Sequence, residues 1–392
     1  MTGQLSHIRV LDLSRIMAGP WAGQILADLG ADVIKVERPG AGDDTRGWGP
    51  PFLQGEDGTR SDAGYYLSVN RGKRSVAIDL STAEGQEIVR RIAATSDIVL
   101  ENFKVGTLAR YGLDYESLKE VNPGLIYCSV TGFGQDGPRA ENAAYDFMIQ
   151  AMGGLMSVTG EADGRPGGGP QKVGVPIVDI MTGMYSVIAV LAALARRDRT
   201  GEGNFIDIGM LDVQVSFLAN QAMNYLVSGK PPGRNGNGHP NIQPQDVFPC
   251  RDGHIVLAVG NDGQFAKLCE VFGEPELAAD ERFATNAQRV IHRETLTPIL
   301  IRHLAERDMA DWCERLAAAG VPAGPINTIP MVLDDEQVRH RQMVVKVPHP
   351  VAGEVSLLAS PMRFRDDPVT YDRHPPLVGE HTEQVLKELG LD

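Results

Sequence analysis

Short apolar runs alternate with amphipathic segments along the first half of this chain. The apolar runs are bounded by turn residues, which is typical of buried strands, and they lie at 8–13, 33–36, 75–78, 98–100 and 126–130. Helical patterns separate them, with helices predicted at 21–29 and 115–121. Such an alternation predicts an α/β fold whose core is a doubly wound, mainly parallel sheet of Rossmann-like topology.

A long apolar stretch at 172–197 follows and contains a single carboxylate, Asp179. The run 173–178 predicts a short strand that leads to Asp179, and the apolar segment after it has the length and composition of a buried helix. An Asp at this junction is typical of a helix cap. The same position also directs a carboxylate to the end of a sheet, where α/β proteins bind their ligands. Local sequence leaves both interpretations open.

The pattern changes after a loop-rich segment near 228–244. A strand at 255–259 and helices at 265–272, 295–305 and 310–319 predict a small α+β domain. We therefore expect a large domain over 1–199, a helix and linker over 200–245 and the small domain over 246–325. A return linker over 326–355 and a C-terminal return to the large domain over 356–392 complete this division.

Composition narrows the class of protein. The chain has 392 residues and a formal net charge of −14, which argues against general nucleic-acid binding. We expect no apolar run to reach the ~20 residues of a membrane span, and the N-terminus lacks the pattern of a signal peptide. The cysteines lie far apart in apolar surroundings, without a metal-binding spacing, at Cys128, Cys250, Cys269 and Cys313. We expect a cytoplasmic protein with no metal site and no membrane partner.

The turn after the first predicted strand reads SRIMAGP and lacks the GxGxxG fingerprint of dinucleotide-binding proteins. A Walker A loop and a GxSxG nucleophile elbow are also absent from the sequence. These absences argue against a nicotinamide or flavin dehydrogenase, a P-loop nucleotidase and an α/β-hydrolase.

A set of segments in a fixed order carries a family resemblance. The segments are VLDLSRIMAGPWAGQILADLGADVIKVERPGAGDDTR, YYLSVNRGKRSVAIDL, DIVLENF, GLIYCSVTGFGQDGP, GVPIVDIMTGMY, RTGEGNFIDI, VGNDGQF, GVPAGPIN and PPLVGEHTEQVLKELG. In this order they resemble the class III CoA-transferases, the CaiB/BaiF family, over essentially the whole chain. The resemblance implies an interlocked homodimer of two ring-like chains. The apolar helices near 186–195 and 213–226 are candidates for its interface.

The resemblance also implies a chemistry for Asp179. In the family an aspartate carboxylate attacks an acyl-CoA thioester, and the reaction proceeds through a mixed anhydride and an aspartyl-CoA thioester. No general base is required, and an Asp with an unperturbed pKa near ~3.9 is ionised at neutral pH. Coenzyme A is then a substrate and product, with no permanently bound cofactor. The expected partners are an acyl-CoA, a small organic acid and a second copy of the chain.

Further site residues follow from the resemblance. Gly260 and Gly263 match a glycine-containing loop that covers the reactive thioester, although a plain strand-to-helix turn remains an alternative. The positions that match the family's CoA contacts are Arg38, Lys73, Arg74, Asn102, Phe103 and Arg110. Cations suit the CoA phosphates and Phe103 suits its adenine or pantetheine, but each of these residues is individually also typical of a solvated surface charge or a core ring.

Two departures from the family pattern bear on the substrate. Formyl-CoA:oxalate transferases carry His-x-Gln directly before AGP, where this chain has Arg15, Ile16 and Met17, so oxalate is disfavoured. Racemases of the family carry His where this chain has Tyr145, so their two-base proton transfer lacks one partner.

The overall pattern is most similar to succinyl-CoA-dependent dicarboxylate transferases of the glutarate or hydroxymethylglutarate type. Arg15 and Arg46 are candidates to hold the distal carboxylate of such a substrate, with a structural ion pair as the alternative. A 2-methylacyl-CoA racemase or epimerase and a non-catalytic CoA-binding protein are the competing hypotheses.

Overall fold

Two structural units make up the chain in the computed structural model, which describes residues 3–391. The first unit contains residues 3–155, 173–220 and 336–391. The second unit contains residues 156–172 and 221–335. The chain therefore leaves the first unit and returns to it twice.

The strands have short, mostly four- to six-residue extents. They are β1 Arg9–Asp12, β2 Asp32–Glu37, β3 Phe52–Gln54, β4 Arg60–Ala63, β5 Arg74–Ala77, β6 Ile98–Glu101, β7 Ile126–Thr131, β8 Asn204–Gly209, β9 Gln245–Cys250, β10 Gly253–Ala258, β11 Ala323–Pro325, β12 Val344–His349 and β13 Gly353–Leu358.

One helix is much longer than the others and holds Asp179 near its start. The helices are α1 Ala18–Asp28, α2 Gly64–Leu67, α3 Ala83–Ala94, α4 Tyr115–Lys119, α5 Asp146–Met152, α6 Leu155–Val158, α7 Ile177–Thr200, α8 Met210–Ser216, α9 Ala219–Ser228, α10 Asp262–Phe272, α11 Asn286–Ile291, α12 Arg293–Leu304, α13 Met309–Ala318, α14 Ile329–Asp334, α15 Glu336–His340 and α16 Thr382–Glu388.

A parallel sheet with the order β5-β2-β1-β6-β7-β8 forms the centre of the first unit. Val10 of β1 lies in register with Val33 of β2 and Ile98 of β6. The chain builds outward from β1 to β5 and then restarts on the other side of β1, so the strand order reverses between β1 and β6. The predicted doubly wound sheet is confirmed, and ligands of such sheets bind at this reversal.

The central strands of this sheet are buried on both faces. Successive strand residues point to opposite sides, and helices cover each side. Val10 belongs to the core that α1 and α7 cover, whereas its neighbour Leu11 belongs to the core that α3 and α16 cover. The continuous apolar runs in the sequence are the consequence, and they explain why these strands could be predicted.

The second unit has its own core around the antiparallel sheet β11-β10-β9. Phe248 and Leu257 of the sheet pack with Phe265 of α10, Leu300 of α12 and Trp312 of α13. This arrangement agrees with the predicted small α+β domain.

Two predicted segments differ in the structure. The single apolar helix expected near 213–226 is divided between two helices, α8 and α9, and the chain adopts a left-handed backbone at Ala219 where the second helix begins. The expected linker over 326–355 contains α14, α15 and the hairpin β12–β13. This hairpin buries Val347 and Val355 against Tyr66, so its alternating apolar residues form a small core of their own.

Helix α7 corrects the expectation that the chain has no apolar run of membrane-spanning length. Within residues 3–391 it is the one helix long and apolar enough to cross a membrane, by length and composition only. Val178, Val187 and Val190 of α7 are buried in the core beneath the sheet. We therefore assign α7 as a core helix of the first unit.

Candidate active site

A cavity of about 240 Å³ lies where the sheet order reverses. Its walls come from the turn after β1, the segments after β6 and β7, the residues before α5, the first turn of α7 and the start of α8. Its lining residues include Arg15, Ile16, Met17, Ala18, Asn102, Phe103, Lys104, Tyr145, Asp179 and Met210. The structure thus brings Asp179 together with five other predicted site residues, Arg15, Met17, Asn102, Phe103 and Tyr145.

Asp179 is the third residue of α7 and is only 8% exposed. None of the residues that the structure describes donates a hydrogen bond to its carboxylate. Burial, followed by the negative charge of Asp146, raises the pKa of Asp179 to about 7. The expectation of an unperturbed, fully ionised carboxylate is therefore wrong, because it took no account of burial.

The cap of α7 is the side chain of Asp146, not that of Asp179. The Asp146 Oδ2 atom accepts hydrogen bonds from the N–H groups of Val178 at 2.8 Å and Asp179 at 3.3 Å. Asp146 is held in turn by Gln150, whose Nε2 donates to its Oδ1 at 2.5 Å. The interpretation of Asp179 as a helix cap is therefore wrong.

The predicted strand at 173–178 is also wrong, because α7 already begins at Ile177. Pro176 lacks the N–H group that a strand would use. The N–H group of Val173 is bound instead by the Gln150 side chain at 2.9 Å.

Sequence reasoning missed Asp146, although its position directly after Tyr145 at the start of a helical pattern was visible.

Gly183, one turn after Asp179, sets the distance between α7 and α1. A Cβ atom at Gly183 would lie 2.6 Å from the carbonyl oxygen of Ala18 and 3.2 Å from the amide nitrogen of Ala22. Such approaches are too close for any side chain. The absence of a Cβ therefore lets α7 contact the α1 backbone, with Asp179 beside the first turn of α1.

Arg15 and Tyr145 line the cavity from two different chain segments. Arg15 is paired with Asp44 at 3.3 Å and lies over the Phe103 ring at 5.4 Å from its centroid. Tyr145 is 63% exposed. Arg15 thus presents a cation to the same cavity as the Asp179 carboxylate.

Asn102 joins the segment after β6 to the turn after β1. Its Oδ1 accepts a hydrogen bond from the Arg15 N–H at 2.9 Å, and its Nδ2 donates to the Arg15 carbonyl oxygen at 2.7 Å. Asn102 therefore fixes the backbone of Arg15 across the point where the strand order reverses.

Phe103 also lines an adjoining cavity of about 200 Å³ that holds Arg38. Arg38 is largely exposed and pairs with Asp44 at 2.8 Å. Arg110 is exposed on the protein surface and contacts the Thr107 hydroxyl at 3.5 Å. These cations remain accessible to an anionic ligand.

Lys73 and Arg74 are a correction, because neither is available to the CoA phosphates. The Lys73 ammonium is fully buried and donates to Asp12 at 2.9 Å, to the Pro20 carbonyl oxygen at 2.9 Å and to Asn70 at 3.0 Å. These three bonds use all the donors of an ammonium group.

The Arg74 guanidinium is also buried, and pairs with Asp32 at 2.5 Å and Glu388 at 2.7 Å. Both cations are structural elements of the first unit.

Arg46 is likewise structural and does not hold a substrate carboxylate. Its guanidinium is buried and bonded to Glu37 at 2.6 Å and to Asp62 at 2.8 Å. It also donates to the Tyr66 hydroxyl at 2.6 Å and the Pro376 carbonyl oxygen at 2.9 Å. Of its two predicted roles, the structural ion pair is the one found.

Gly260 and Gly263 lie in the second unit, at the start of α10. Asn261 caps this helix by accepting a hydrogen bond from the Gln264 N–H at 2.9 Å, so the predicted tight turn is already helical from Asp262. A Cβ atom at Gly260 or Gly263 would meet its nearest atom at 3.5 or 3.4 Å. Local packing therefore does not require glycine at either position.

Tyr65 is a further residue that sequence reasoning missed. Burial, followed by the charges of Asp179, Asp146 and Asp43, raises the pKa of Tyr65 to about 12. Its ring packs edge-on against Trp48 at 5.2 Å between centroids. A neutral phenol in the field of Asp179 is a potential hydrogen-bond donor, and the aromatic pair in GYYL was its only sequence signal.

Comparison with known proteins identifies relatives along nearly the full length. A model of CoA-transferase family III matches residues 5–382. The succinate–glutarate CoA-transferase of Agrobacterium fabrum is 52% identical over 388 residues, covering 98% of this chain and 95% of that protein. The succinyl-CoA:glutarate CoA-transferase of Homo sapiens is 42% identical over 385 residues, covering 98% of this chain and 86% of that protein.

A solved structure shows the same fold. The crystal structure of a CaiB/BaiF family protein from Brucella suis has a TM-score of 0.86 at 52% identity, covering 99% of this chain and 100% of that one. These findings confirm the resemblance that the ordered segments indicated.

Burial of Asp179 predicts a cost in folding stability that depends on pH. Its pKa is about 7 in the folded protein against an ordinary 3.8, so ionisation disfavours the fold. The folding stability that depends on a neutral Asp179 carboxyl is complete below pH ~3.8 and is lost as the pH rises through about 7. We expect Asp179→Asn to be more stable than the wild type by up to ~4 kcal/mol above pH 7, as measured by urea denaturation between pH 5 and 8.

Asp212 provides a matched control, since it is the third residue of α8 as Asp179 is of α7, and is exposed. Asp212→Asn should give no gain that grows with pH. If Asp179→Asn instead loses stability at pH 8, the unpartnered burial of Asp179 is refuted.

Proposed function

Because the chain belongs to CoA-transferase family III, we propose that it transfers CoA from succinyl-CoA to glutarate or a related dicarboxylic acid, with Asp179 as the nucleophile. The observation that carries this proposal is the buried Asp179 carboxylate, which has no hydrogen-bond donor and lines a cavity beside an accessible arginine. A carboxylate left without donors keeps its lone pairs available for attack on a carbonyl carbon.

The transfer proceeds in two matched halves. An Asp179 oxygen adds to the carbonyl carbon of succinyl-CoA and the C–S bond breaks, which gives a mixed anhydride and the CoA thiolate. The thiolate sulfur then attacks the aspartyl carbonyl carbon, the anhydride C–O bond breaks, and succinate leaves an aspartyl-CoA thioester. The acceptor carboxylate runs the same steps in reverse and restores the Asp179 carboxylate. No proton needs to be transferred.

We place the CoA moiety along the two adjoining cavities that share Phe103. Arg38 and Arg110 are the proposed phosphate contacts, because both guanidinium groups remain exposed. Phe103 offers a ring face to adenine or pantetheine. Coenzyme A enters and leaves as substrate and product, and we propose that no cofactor stays bound. A catalytic role of Gly260 and Gly263 stays a prediction from the family resemblance alone.

Arg15 is the proposed receptor for the distal carboxylate of the dicarboxylic acid. Its ion pair with Asp44 joins two side chains that are about 40% exposed, so exchanging Asp44 for a substrate carboxylate costs little. Met17 and Tyr145 complete the wall around this part of the substrate. No observation favours the racemase, because an exposed Tyr145 stands where racemases carry a histidine base.

We further propose that the protein works in the cytoplasm as a homodimer, without nucleic-acid or membrane partners. Large apolar side chains that are exposed on two helices support self-association, since exposed apolar surface marks interfaces. They lie on α7 and α9 and comprise Met184, Tyr185, Ile188, Leu191, Met223, Tyr225, Leu226 and Val227.

When the protein is incubated with succinyl-CoA and glutarate, glutaryl-CoA should form, and mass spectrometry should detect it. With succinyl-CoA alone, hydroxylamine should convert the enzyme adduct to a hydroxamate on the peptide that contains Asp179. Asp179→Asn should abolish adduct and transfer, because an amide cannot act as the nucleophile, whereas Asp212→Asn should retain both. Substantial turnover by Asp179→Asn, with deamidation excluded by mass, would contradict the assignment.

The pKa of Asp179 predicts a pH profile. Only the ionised carboxylate attacks, so kcat/KM for succinyl-CoA should rise about tenfold per pH unit below pH 7 and level off above it. Asp146→Asn removes the second cause of the raised pKa, so the midpoint of the pH profile should move to lower pH in this variant. Burial should still keep the pKa of Asp179 above 3.8. A flat wild-type profile between pH 5 and 8 would show that Asp179 ionisation does not limit the reaction.

Sedimentation equilibrium should give twice the chain mass of 42.4 kDa down to nanomolar concentration, because interlocked rings must open to separate. Ile188→Asp, on the exposed face of α7, should weaken assembly or prevent it. Ile291→Asp, at a similarly exposed isoleucine of the second unit, is the matched control and should leave the mass unchanged. A wild-type monomer at micromolar concentration would exclude the interlocked dimer.

A further inference from the structure

Ile16 lines the cavity in a backbone conformation that isoleucine rarely adopts. Its φ angle is 73°, in the left-handed region. A β-branched residue is strained there, because its Cβ crowds the following carbonyl oxygen. Residues held in this way persist only where their surroundings impose the conformation.

Three side chains impose it by binding the backbone of consecutive residues. The Asp43 carboxylate accepts a hydrogen bond from the Ile16 N–H at 3.3 Å. Lys35 pairs with Asp43 at 2.9 Å and donates to the Ser14 carbonyl oxygen at 2.7 Å. Asn102 binds both polar groups of Arg15. We call the Asp43, Lys35 and Asn102 side chains the turn clamp.

Asp43 and Lys35 are almost completely buried, at 2% and 0% exposure. Burial acts to raise the pKa of Asp43, but the Lys35 charge and the Thr45 N–H outweigh it and hold this pKa below its usual value. Asp43 is therefore an ionised acceptor inside the fold. A charged acceptor makes a stronger hydrogen bond to a backbone N–H than a neutral one.

The clamped turn leads directly into α1, whose first amides lack acceptors. Met17 is the N-cap and makes no capping hydrogen bond through its side chain. Among residues 3–391, none accepts a hydrogen bond from the N–H groups of Met17 and Ala18. Both residues are buried and line the cavity.

A second feature of the same cavity points to a ligand at these amides. The Asp179 carboxylate is more than nine-tenths buried, lacks a donor and faces the cavity that Met17 and Ala18 line. The close contact of Gly183 with Ala18 fixes α7 against this first turn. A carbonyl group attacked by Asp179 would therefore lie next to unsatisfied backbone donors at the positive end of a helix.

We propose that Asp43 is a positioning residue, which holds Ile16 in the left-handed conformation so that the N–H groups of Met17 and Ala18 donate to the acyl oxygen under attack by Asp179. This inference rests on the proposed transferase function. When the Asp179 oxygen adds to the carbonyl carbon, the carbonyl π electron pair moves to the acyl oxygen, where the two N–H groups stabilise it. The pair returns when the C–S bond breaks and the CoA thiolate leaves.

Asp43→Asn tests the proposal, because it keeps the size of the side chain but directs an NH₂ group at Lys35 or the Ile16 N–H. We expect kcat to fall about 100-fold, with a smaller change in KM for succinyl-CoA. Asp28→Asn is the matched control, since Asp28 is a buried carboxylate paired with the buried Arg71 at 2.6 Å. The control should lose stability without losing kcat.

Rescue distinguishes positioning from a merely structural role. Glycine adopts a positive φ without a clamp. Adding Ile16→Gly to Asp43→Asn should therefore raise kcat at least tenfold above that of Asp43→Asn alone. A purely structural defect should instead deepen, because glycine adds flexibility to the unfolded chain.

Should Asp43→Asn fail to fold, Asn102→Leu removes another of the three side chains of the turn clamp and should show the same loss of kcat and the same rescue. Unchanged kcat in a folded clamp variant, or loss without rescue by Ile16→Gly, would overturn the proposal. Absence of transfer by the wild type would instead reject the proposed function, so the two failures are distinguishable.

Discussion

A buried carboxylate without a hydrogen-bond donor is costly, and the first unit is arranged around one such group, Asp179. Asp146 lies close enough to raise the pKa of Asp179. Its own oxygens accept hydrogen bonds from the first amides of α7 and from Gln150. The two carboxylates thus have separate roles: one is satisfied and fixes the helix, and the other is left free. Such a division within a pair of like charges is how a protein assigns different chemistry to the same functional group.

The sheet topology supplies the place where this group can meet a ligand. Reversal of the strand order between β1 and β6 opens a crevice at their carboxyl ends, and Asn102 bridges it by binding the Arg15 backbone. Helix α7 enters the same crevice from a distant part of the sequence, and Gly183 brings it against α1. The site therefore depends on three chain segments that only the fold makes neighbours.

Much of this architecture could be predicted from the sequence, for a physical reason. Strands buried on both faces are continuous apolar runs, so the sheet strands were predicted within one or two residues. Charged side chains carry no comparable local signal. Lys73 and Arg74 have the appearance of phosphate ligands, but their partners Asp12 and Glu388 lie 61 and 314 positions away. The raised pKa of Asp179 was missed for the same reason, because burial is a tertiary property.

Burial of Asp179 keeps water away from its carboxylate, and this exclusion of water accounts for the cost in folding stability. The mixed anhydride and the aspartyl-CoA thioester of the proposed mechanism are both open to hydrolysis, and each hydrolytic event would waste an activated acyl group. A site that keeps water from the Asp179 carboxylate protects these intermediates, but the same exclusion of water raises the pKa of Asp179 to about 7. Burial is the larger cause of the raised pKa, and changing Asp146 removes only the smaller contribution of its negative charge. A carboxylate that is only about half ionised at pH 7 is therefore the expected compromise if Asp179 is the nucleophile, as proposed.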